Sequence, residues 1–296
     1  MPVEASALTR KEFLAALAAP VLLPEAAPAR EGSRRLLIVV AHPDDEYAFA
    51  GATYRLVRES GWSAEQVVIT DGEGGYRYST LAEKIYGQPL ASPEDGRKHL
   101  VAIRREETLR AGKILGVEHY RFLDQKDHGF AGDPATADTS DWDRPRILRT
   151  LHELLAEGRY DAVFTLLPTP ETHAHHRAAT ELALQAIAAL PAKDRPVCLG
   201  VDTRARTDTP RRFAGSAPSL VFDRSARFGY HDALNYQIVV NWVIAEHKSQ
   251  GLFQMDCGKH DFEEFWILEP GGEREANVVG DLRMHLRPPD HTAATQ

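Results

Sequence analysis

The sequence predicts an α/β protein with a Rossmann-like, mostly parallel sheet, helices on both faces and extra strands near the carboxyl end. Two observations lead to this fold class. Short apolar runs alternate with segments of helical periodicity from residue 34 onward, and repeated strand–helix units build a parallel sheet covered on both sides. Polar, chemistry-bearing clusters also follow four of the apolar runs, as expected where parallel strands end at one edge.

The apolar runs are short enough for strands and the segments between them long enough for helices. The predicted strands of the alternating part are 36–40, 66–70, 119–123, 161–167 and 196–200. Helices are predicted around 100–115, 147–155 and 176–190, where apolar residues fall largely on one side. The last eighty residues differ, with strands predicted at 219–222 and 262–268 and a helix at 234–247.

The first 33 residues read as a leader or an amino-terminal extension with a linker, and residues 34–296 as one domain. Arg10 and Lys11 precede a nearly apolar stretch at 15–23, a degenerate form of a twin-arginine export leader. An amphipathic helix ended by Pro20 explains the same residues. The protein is therefore exported on the first interpretation and cytoplasmic on the second.

Composition excludes several classes of function. The net charge of -8, without a block of lysines or arginines, argues against a nucleic-acid partner. No apolar stretch approaches the roughly 20 residues of a membrane span. The two cysteines, Cys198 and Cys257, do not form a Cys-x-x-Cys pair, so a cysteine zinc site is not expected. A single disulfide between them is left open, as is oligomerisation.

The most informative motif is the sequence AHPDDE at 41–46, directly after the first predicted strand. One imidazole and three carboxylates next to a buried strand are costly unless a cation compensates them. A divalent metal held by His42 and Asp45 would supply that charge, leaving Asp44 beside the metal as a base. The alternative is an acidic first helical turn favoured by the helix dipole, which does not account for His42.

Three further polar loops are expected at the same edge of the sheet. They are TDGEGG at 70–75, DQKDHG at 124–129 and PTPETHAHH at 168–176. The last contains His173 and His176, which can share one side of a helix. Together with His42 and Asp45, one of these histidines would complete three protein ligands with an open position, as in catalytic zinc sites. The other could then donate to an oxyanion.

These motifs, in this order, resemble the PIG-L/LmbE-like family of zinc-dependent N-deacetylases, which act on N-acetylglucosamine-type sugars. The similarity continues through Arg104-x-x-Glu107, Asp127 and the HKSQ sequence at 247–250. The resemblance implies one Zn²⁺ per chain. It further implies the following roles: metal ligands His42, Asp45 and His176; general base Asp44; oxyanion-stabilising His173; and substrate contacts at Arg104, Asp127 and Glu73.

One position departs from the family pattern. Where the family has His-Pro-Asp-His, this chain has His173-Ala174-His175-His176, so the aspartate expected to orient His173 is replaced by His175. Asp127 could take over that role. Three tyrosines lie in the long segment 76–99, which is expected to form a lid or a pocket wall. Stacking of Tyr76 and Tyr78 would suit a sugar, whereas Tyr86 is expected to pack in an ordinary loop.

The sequence therefore predicts a zinc hydrolase that removes an N-acetyl or other N-acyl group from an amino sugar or glycoconjugate. Two alternatives belong to other classes. A non-catalytic carbohydrate-binding protein could keep the same scaffold. A dinucleotide-dependent oxidoreductase would need Gly-x-Gly-x-x-Gly after the first strand, whereas the glycines here follow the second.

Overall fold

The computed structural model describes residues 33–129, 137–251 and 259–287. Its strands are β1 (Arg35–Val40), β2 (Ser63–Thr70), β3 (Val117–Gln125), β4 (Ala162–Leu166), β5 (Val197–Arg204), β6 (Leu220–Asp223), β7 (Arg227–Phe228), β8 (Leu234–Asn235) and β9 (Phe262–Glu269). Its α-helices are α1 (Ala50–Tyr54), α2 (Ala82–Tyr86), α3 (Pro93–Asp95), α4 (Val101–Leu115), α5 (Arg144–Gly158), α6 (Ala174–Ala188), α7 (Tyr236–Glu246) and α8 (Glu275–Leu286).

Seven strands form the central sheet in the order β3-β2-β1-β4-β5-β9-β6. The first five are parallel, and β9 runs antiparallel between β5 and β6. The predicted fold class is confirmed, including the additional strands after residue 217. The chain runs outward from β1 to β3 and then returns to β4 on the other side of β1. The crevice between the carboxyl ends of β1 and β4 is the switch point at which such sheets bind ligands.

Strand β1 shows why the sheet is covered on both faces. Leu36, Ile38 and Val40 pack into one buried cluster, while Leu37 and Val39 pack into another. Because side chains alternate along a strand, a continuous apolar run can fill two layers at once. The first layer contains apolar residues of α1, α4, α7 and α8, and the second those of α5 and α6.

A buried ion pair between Glu263 of β9 and Arg224 helps to hold the segment that follows the AHPDDE motif. Arg224 Nε lies 2.9 Å from Glu263 Oε1, and both side chains are fully buried. The carboxylate of Glu263 also accepts the backbone N–H groups of Gly51 and Ala52, at 2.8 Å each. Removing either partner would leave an uncompensated buried charge, which typically costs about 3–5 kcal/mol.

Several predictions fall on residues outside the described part. These include the leader or amphipathic helix at the amino terminus and the pairing partner Cys257. Cys198 lies buried in β5. Within the ranges that the structure describes, none of the helices combines the length and apolar character needed to cross a membrane.

Candidate active site

The residues after β1 form a tight turn held by the carboxylate of Asp45. Its Oδ2 accepts the backbone N–H groups of Ala41 and His42, at 3.0 and 2.8 Å. Its Oδ1 lies 3.0 Å from Nε2 of His176. Burial would raise the pKa of Asp45, but His176 and His42 hold it well below its usual range. Asp45 is therefore ionised, with one oxygen committed to the turn and the other directed at a histidine.

Asp44 occupies a strained position in the same turn. Its φ of 115° is rare for a residue with a side chain. The backbone N–H of Asp44 donates to Glu46 Oε2 at 3.2 Å, and its own Oδ2 lies 2.8 Å from Nη2 of Arg104. Burial raises the pKa of Asp44 to about 6, although Arg104 opposes that shift. A carboxyl with a pKa near neutrality is suited to accept and return a proton.

The histidines after β4 sit at the amino end of α6. His173 caps the helix, because its Nδ1 accepts the backbone N–H of His175 at 3.2 Å. That bond leaves Nε2 as the protonated nitrogen of the neutral ring. Burial and the neighbouring histidines lower the pKa of His173 to about 3. Neutral His173 can thus donate a hydrogen bond from Nε2.

His42, Asp45 and His176 are brought together as the sequence predicts. Nδ1 of His42 lies 2.9 Å from Nε2 of His176 and 3.6 Å from Oδ2 of Asp45. Bonds of about 2.0–2.2 Å to a tetrahedral zinc would separate neighbouring ligand atoms by about 3.3 Å. The donor set and these separations fit a divalent metal. A second group of potential ligands, His42 with His173 and His175, shares the first histidine.

His175 does not take the place expected of an orienting residue for His173. Its ring is completely buried and turns toward His42, with Nδ1 3.0 Å from Nε2 of that histidine. Its backbone N–H donates to Nδ1 of His173, and the two rings meet edge to face with their centroids 4.8 Å apart, but no hydrogen bond from the His175 ring to His173 is seen among the described residues. Asp127, the other candidate, lies 3.6 Å from Nδ1 of His175 and 3.8 Å from Nε2 of His42.

The three predicted substrate contacts differ in position. Arg104 and Asp127 line the cavity described below, and Arg104 Nη1 lies 3.9 Å from Oδ2 of Asp127. Glu73 is not among the lining residues, and its carboxylate accepts from Nε of the exposed Arg97 at 3.2 Å. Its predicted role as a substrate contact therefore lacks support from the geometry, because the side chain is engaged outside the cavity.

The tyrosines of the following segment also separate. Tyr78 lines the cavity, whereas Tyr76 does not. The Tyr86 hydroxyl donates to Glu107 at 2.6 Å, in line with the packed loop expected for it. The segment therefore contributes Tyr78 to the cavity lining, while Tyr76 contacts the side chain of Arg77, whose Nε donates to its hydroxyl at 3.1 Å.

The glycine loop after β2 allows the chain to pass very close to the site. A Cβ at Gly74 would lie 2.5 Å from the backbone nitrogen of Gly129 and 2.7 Å from Oδ1 of Asp127. Gly72 has a φ of 75°, and a Cβ there would lie 2.9 Å from Nη1 of Arg104. The loop therefore requires glycine for both conformation and space.

The HKSQ segment at 247–250 connects three parts of the site. His247 Nε2 lies 2.7 Å from Oε1 of Glu46, and both side chains are buried. Ser249 donates to Glu107 from its backbone and its hydroxyl, at 2.8 and 2.5 Å. Gln250 donates to the Gly75 carbonyl at 3.4 Å. This segment after α7 thus holds the first motif, helix α4 and the glycine loop in place.

A cavity of about 360 Å³ opens beside the His/Asp cluster, a size typical of small-molecule sites. His42, Asp44, Asp45, His173 and His176 all line it. The apolar part of its lining includes Ala48, Leu166, Leu167 and Val201.

Asp202 and Thr203, which the sequence pattern does not single out, line the same cavity from the end of β5. Polar residues after a strand identify the other four loops and would also identify these two, but the apolar run predicts a fifth strand that ends at Gly200. The strand continues to Arg204 and carries these polar residues to the cavity.

Comparison with known proteins adds a family match. Residues 37–187, about half of the chain, match the model of the PIG-L family, described as GlcNAc-PI de-N-acetylase. One similar curated protein is a probable N-acetyl-alpha-D-glucosaminyl L-malate deacetylase 2 of Bacillus anthracis. It is 27% identical over 172 residues, which make up 58% of this chain and 67% of the relative. The matched regions span between 29% and 67% of the curated relatives' own lengths.

Two solved structures share the fold. N,N'-diacetylchitobiose deacetylase from Pyrococcus horikoshii has a TM-score of 0.53 at 19% identity, covering 89% of this chain and 94% of that one. GalB, a 4-carboxy-2-hydroxymuconate hydratase from Pseudomonas putida, also has a TM-score of 0.53, at 16% identity, covering 80% and 97%. Because a hydratase and a deacetylase share this scaffold, the fold does not decide the reaction and the site must.

Proposed function

Because this chain belongs to the PIG-L family of de-N-acetylases, we propose that it is a zinc-dependent hydrolase that removes an N-acetyl group from a small glucosamine-containing molecule. The observation that carries the proposal is the position of Asp44. It lies in the cavity beside the ligand-capable triad of His42, Asp45 and His176, yet it pairs with Arg104 instead of joining the triad.

His42, Asp45 and His176 would hold the zinc, one ion per chain. When bound, the metal supplies a Lewis acid that polarises the amide carbonyl and makes water a better nucleophile at neutral pH. The chain's own residues then handle the protons. Asp44 takes the proton from the attacking water and returns it to the departing amine, a role for which a pKa near 6 is suited.

His173 is the candidate for stabilising the developing oxyanion. Its Nδ1 is committed to the helix cap, so Nε2–H is the group that can donate into the cavity that His173 lines. Donors already in place at such a position typically contribute about 3–4 kcal/mol to transition-state stabilisation.

The glucosamine part of the proposal is supported by the Bacillus relative, whose name describes an N-acetylglucosaminyl substrate. The cavity volume suits a ligand of that class, and Tyr47 and Tyr78 offer aromatic surfaces to a sugar ring. The two alternatives have weaker support. The turn after β1 has no glycine-rich phosphate loop, and a purely binding protein would have no use for a strained, cation-paired Asp44.

The test combines metal analysis with an acetate assay. The purified protein is analysed for zinc, incubated with N-acetylglucosamine and its α-glycosides, and assayed for released acetate and free amine in equal amounts. We expect about one zinc per chain, loss of activity on chelation and its return with added zinc. His42→Ala should lose the zinc. Zinc retained in that variant would contradict the ligand assignment, and no acetate from any substrate would favour the binding protein.

A further inference from the structure

The ring of His175 lies beside the triad and contacts His42, although it does not line the cavity. It is completely buried, and its ring centroid lies 5.1 Å from that of Trp142. Both ring nitrogens have a partner: Nδ1 lies 3.0 Å from Nε2 of His42, and Nε2 lies 3.0 Å from the carbonyl oxygen of Asp138. A buried ring with both nitrogens engaged has a fixed orientation.

These two contacts assign the hydrogens on the neutral rings. A carbonyl oxygen can only accept, so Nε2 of His175 carries the hydrogen. Its Nδ1 is then an acceptor, and Nε2 of His42 must be the donor to it. In the neutral His42 ring this leaves Nδ1 without a hydrogen and with a lone pair. That nitrogen is the one facing His176 and Asp45.

The same assignment decides between the two groups that could hold a metal, because they share His42. The group with His173 and His175 would need Nε2 of His42 as a ligand, yet that nitrogen donates to His175. The group with Asp45 and His176 needs Nδ1, which carries the lone pair and already faces both residues. The hydrogen-bonded chain from Asp138 through His175 therefore directs His42 toward one of the two groups.

Building on the zinc site proposed above, we propose that His175 is a positioning residue for the metal: it fixes the tautomer and orientation of His42 and is not itself a ligand. Metal-bound histidines usually donate their other N–H to a carboxylate, a carbonyl or water, and loss of that partner typically weakens metal binding about 10–100-fold. Here a second histidine, anchored by a backbone carbonyl, takes the role of that acceptor.

Two variants of His175 and one control test this assignment. His175→Leu removes the acceptor for His42, whereas His175→Asn keeps an oxygen at about the place of Nδ1. Thr180→Val is the matched control, because Thr180 is buried one turn further along α6 and bonds Thr165 Oγ1 and the Leu166 carbonyl, each at 2.7 Å. This variant shows how much zinc binding and Tm change when buried hydrogen bonds are lost in the same helix but away from the triad.

Three measurements are made on each full-length protein. They are the zinc Kd by competition with a chromophoric chelator, the Tm of the metal-free protein, and the number of histidines bound to zinc from X-ray absorption. We expect a 10–100-fold weaker zinc Kd for His175→Leu, recovery to within about threefold of wild type for His175→Asn, and an unchanged Kd for Thr180→Val. At saturating zinc, wild type and both His175 variants should show two bound histidines.

The outcomes separate this inference from the proposed function. If the wild type binds zinc and releases acetate but His175→Leu binds zinc equally well, the positioning role is wrong and the hydrolase proposal stands. Three bound histidines in the wild type, falling to two in His175→Leu, would make His175 a ligand and overturn the inference. Equally weak zinc binding in His175→Asn and His175→Leu would also overturn the inference. A weaker zinc Kd in Thr180→Val, in proportion to the fall in its Tm, would overturn it as well. A wild type without zinc would overturn both proposals.

Discussion

The guanidinium of Arg104 lies 2.8 Å from the carboxylate of Asp44, and both side chains are nearly inaccessible to solvent. Arg104 also donates to the carbonyl oxygens of Gly72, at 2.8 Å, and of Pro43. One side chain on α4 therefore fixes the turn after β1, the glycine loop after β2 and the charge of the candidate base. Arg104 acts on Asp44 whether or not it also contacts a substrate.

Replacement of Arg104 by glutamine should move the acidic limb of the activity profile to higher pH. Asp44 works as a base only when ionised, and removal of the neighbouring positive charge raises the pKa of its carboxyl further. The measurement is kcat/KM against pH. Arg105→Gln is the control, since this neighbour on α4 is partly exposed and pairs with Asp124 instead. An acidic limb that stays in place or moves to lower pH in Arg104→Gln would contradict the pairing.

Asp44→Asn should keep zinc and lose about 10²–10⁴ in turnover, the usual contribution of a positioned acid or base. The amide can still occupy the turn but cannot take up a proton. Zinc content and kcat are measured together, with Asp45→Asn as the comparison that should lose metal. If the two variants behave the other way round, the roles of base and ligand must be exchanged.

His173→Ala should bind zinc nearly normally while catalysis falls about 10²-fold or more. Because His173 also caps α6, the alanine variant should lose about 1 kcal/mol of stability as well. His173→Asn separates the two effects, since asparagine is a good cap but lacks the Nε2–H group. We expect the Asn variant to regain stability and remain slow; an Asn variant with normal turnover would remove His173 from the chemistry.

Asp71→Asn should stabilise the protein at pH 8 and have little effect at pH 4. Burial raises the pKa of Asp71 to about 6, above the unfolded value of about 3.9, so ionisation costs the folded state free energy as pH rises between these values. The asparagine oxygen can still accept the N–H groups of Glu73 and Asp127. Allowing for partial exposure, the gain at pH 8 should be on the order of 1 kcal/mol. Urea unfolding at both pH values measures it, and a less stable variant at pH 8 would refute the expected sign.

Much of this architecture could be predicted because strand periodicity and loop polarity are local properties of the sequence. Apolar runs such as that around Ile38 identify buried strands, and parallel strands bring the loops that follow them to one edge. This was enough to place His42, Asp45 and His176 together. The predicted fifth strand is shorter than β5, because Asp202 and Thr203 are polar and end the apolar run before the strand itself ends.

What could not be predicted is the direction of individual side chains within a cluster. His173, His175 and His176 lie within four positions, and spacing alone does not say which ring faces a metal, a helix cap or another histidine. The rotation of the first turn of α6 and the long-range carbonyl of Asp138 decide the orientation of His175. The position of Glu73 in its loop likewise does not reveal its contact with Arg97, which lies more than twenty residues later.

The contacts of residues 247–250 have a consequence for how the protein is made. All the proposed metal ligands have left the ribosome long before His247, Ser249 and Gln250 are synthesised. Until these residues dock, Glu46 lacks its buried histidine partner and Glu107 lacks the serine that donates to it. A nascent chain that already contains every ligand therefore still lacks a finished site. The candidate site is therefore completed only late in synthesis, and fragments ending before this segment should not substitute for the whole chain.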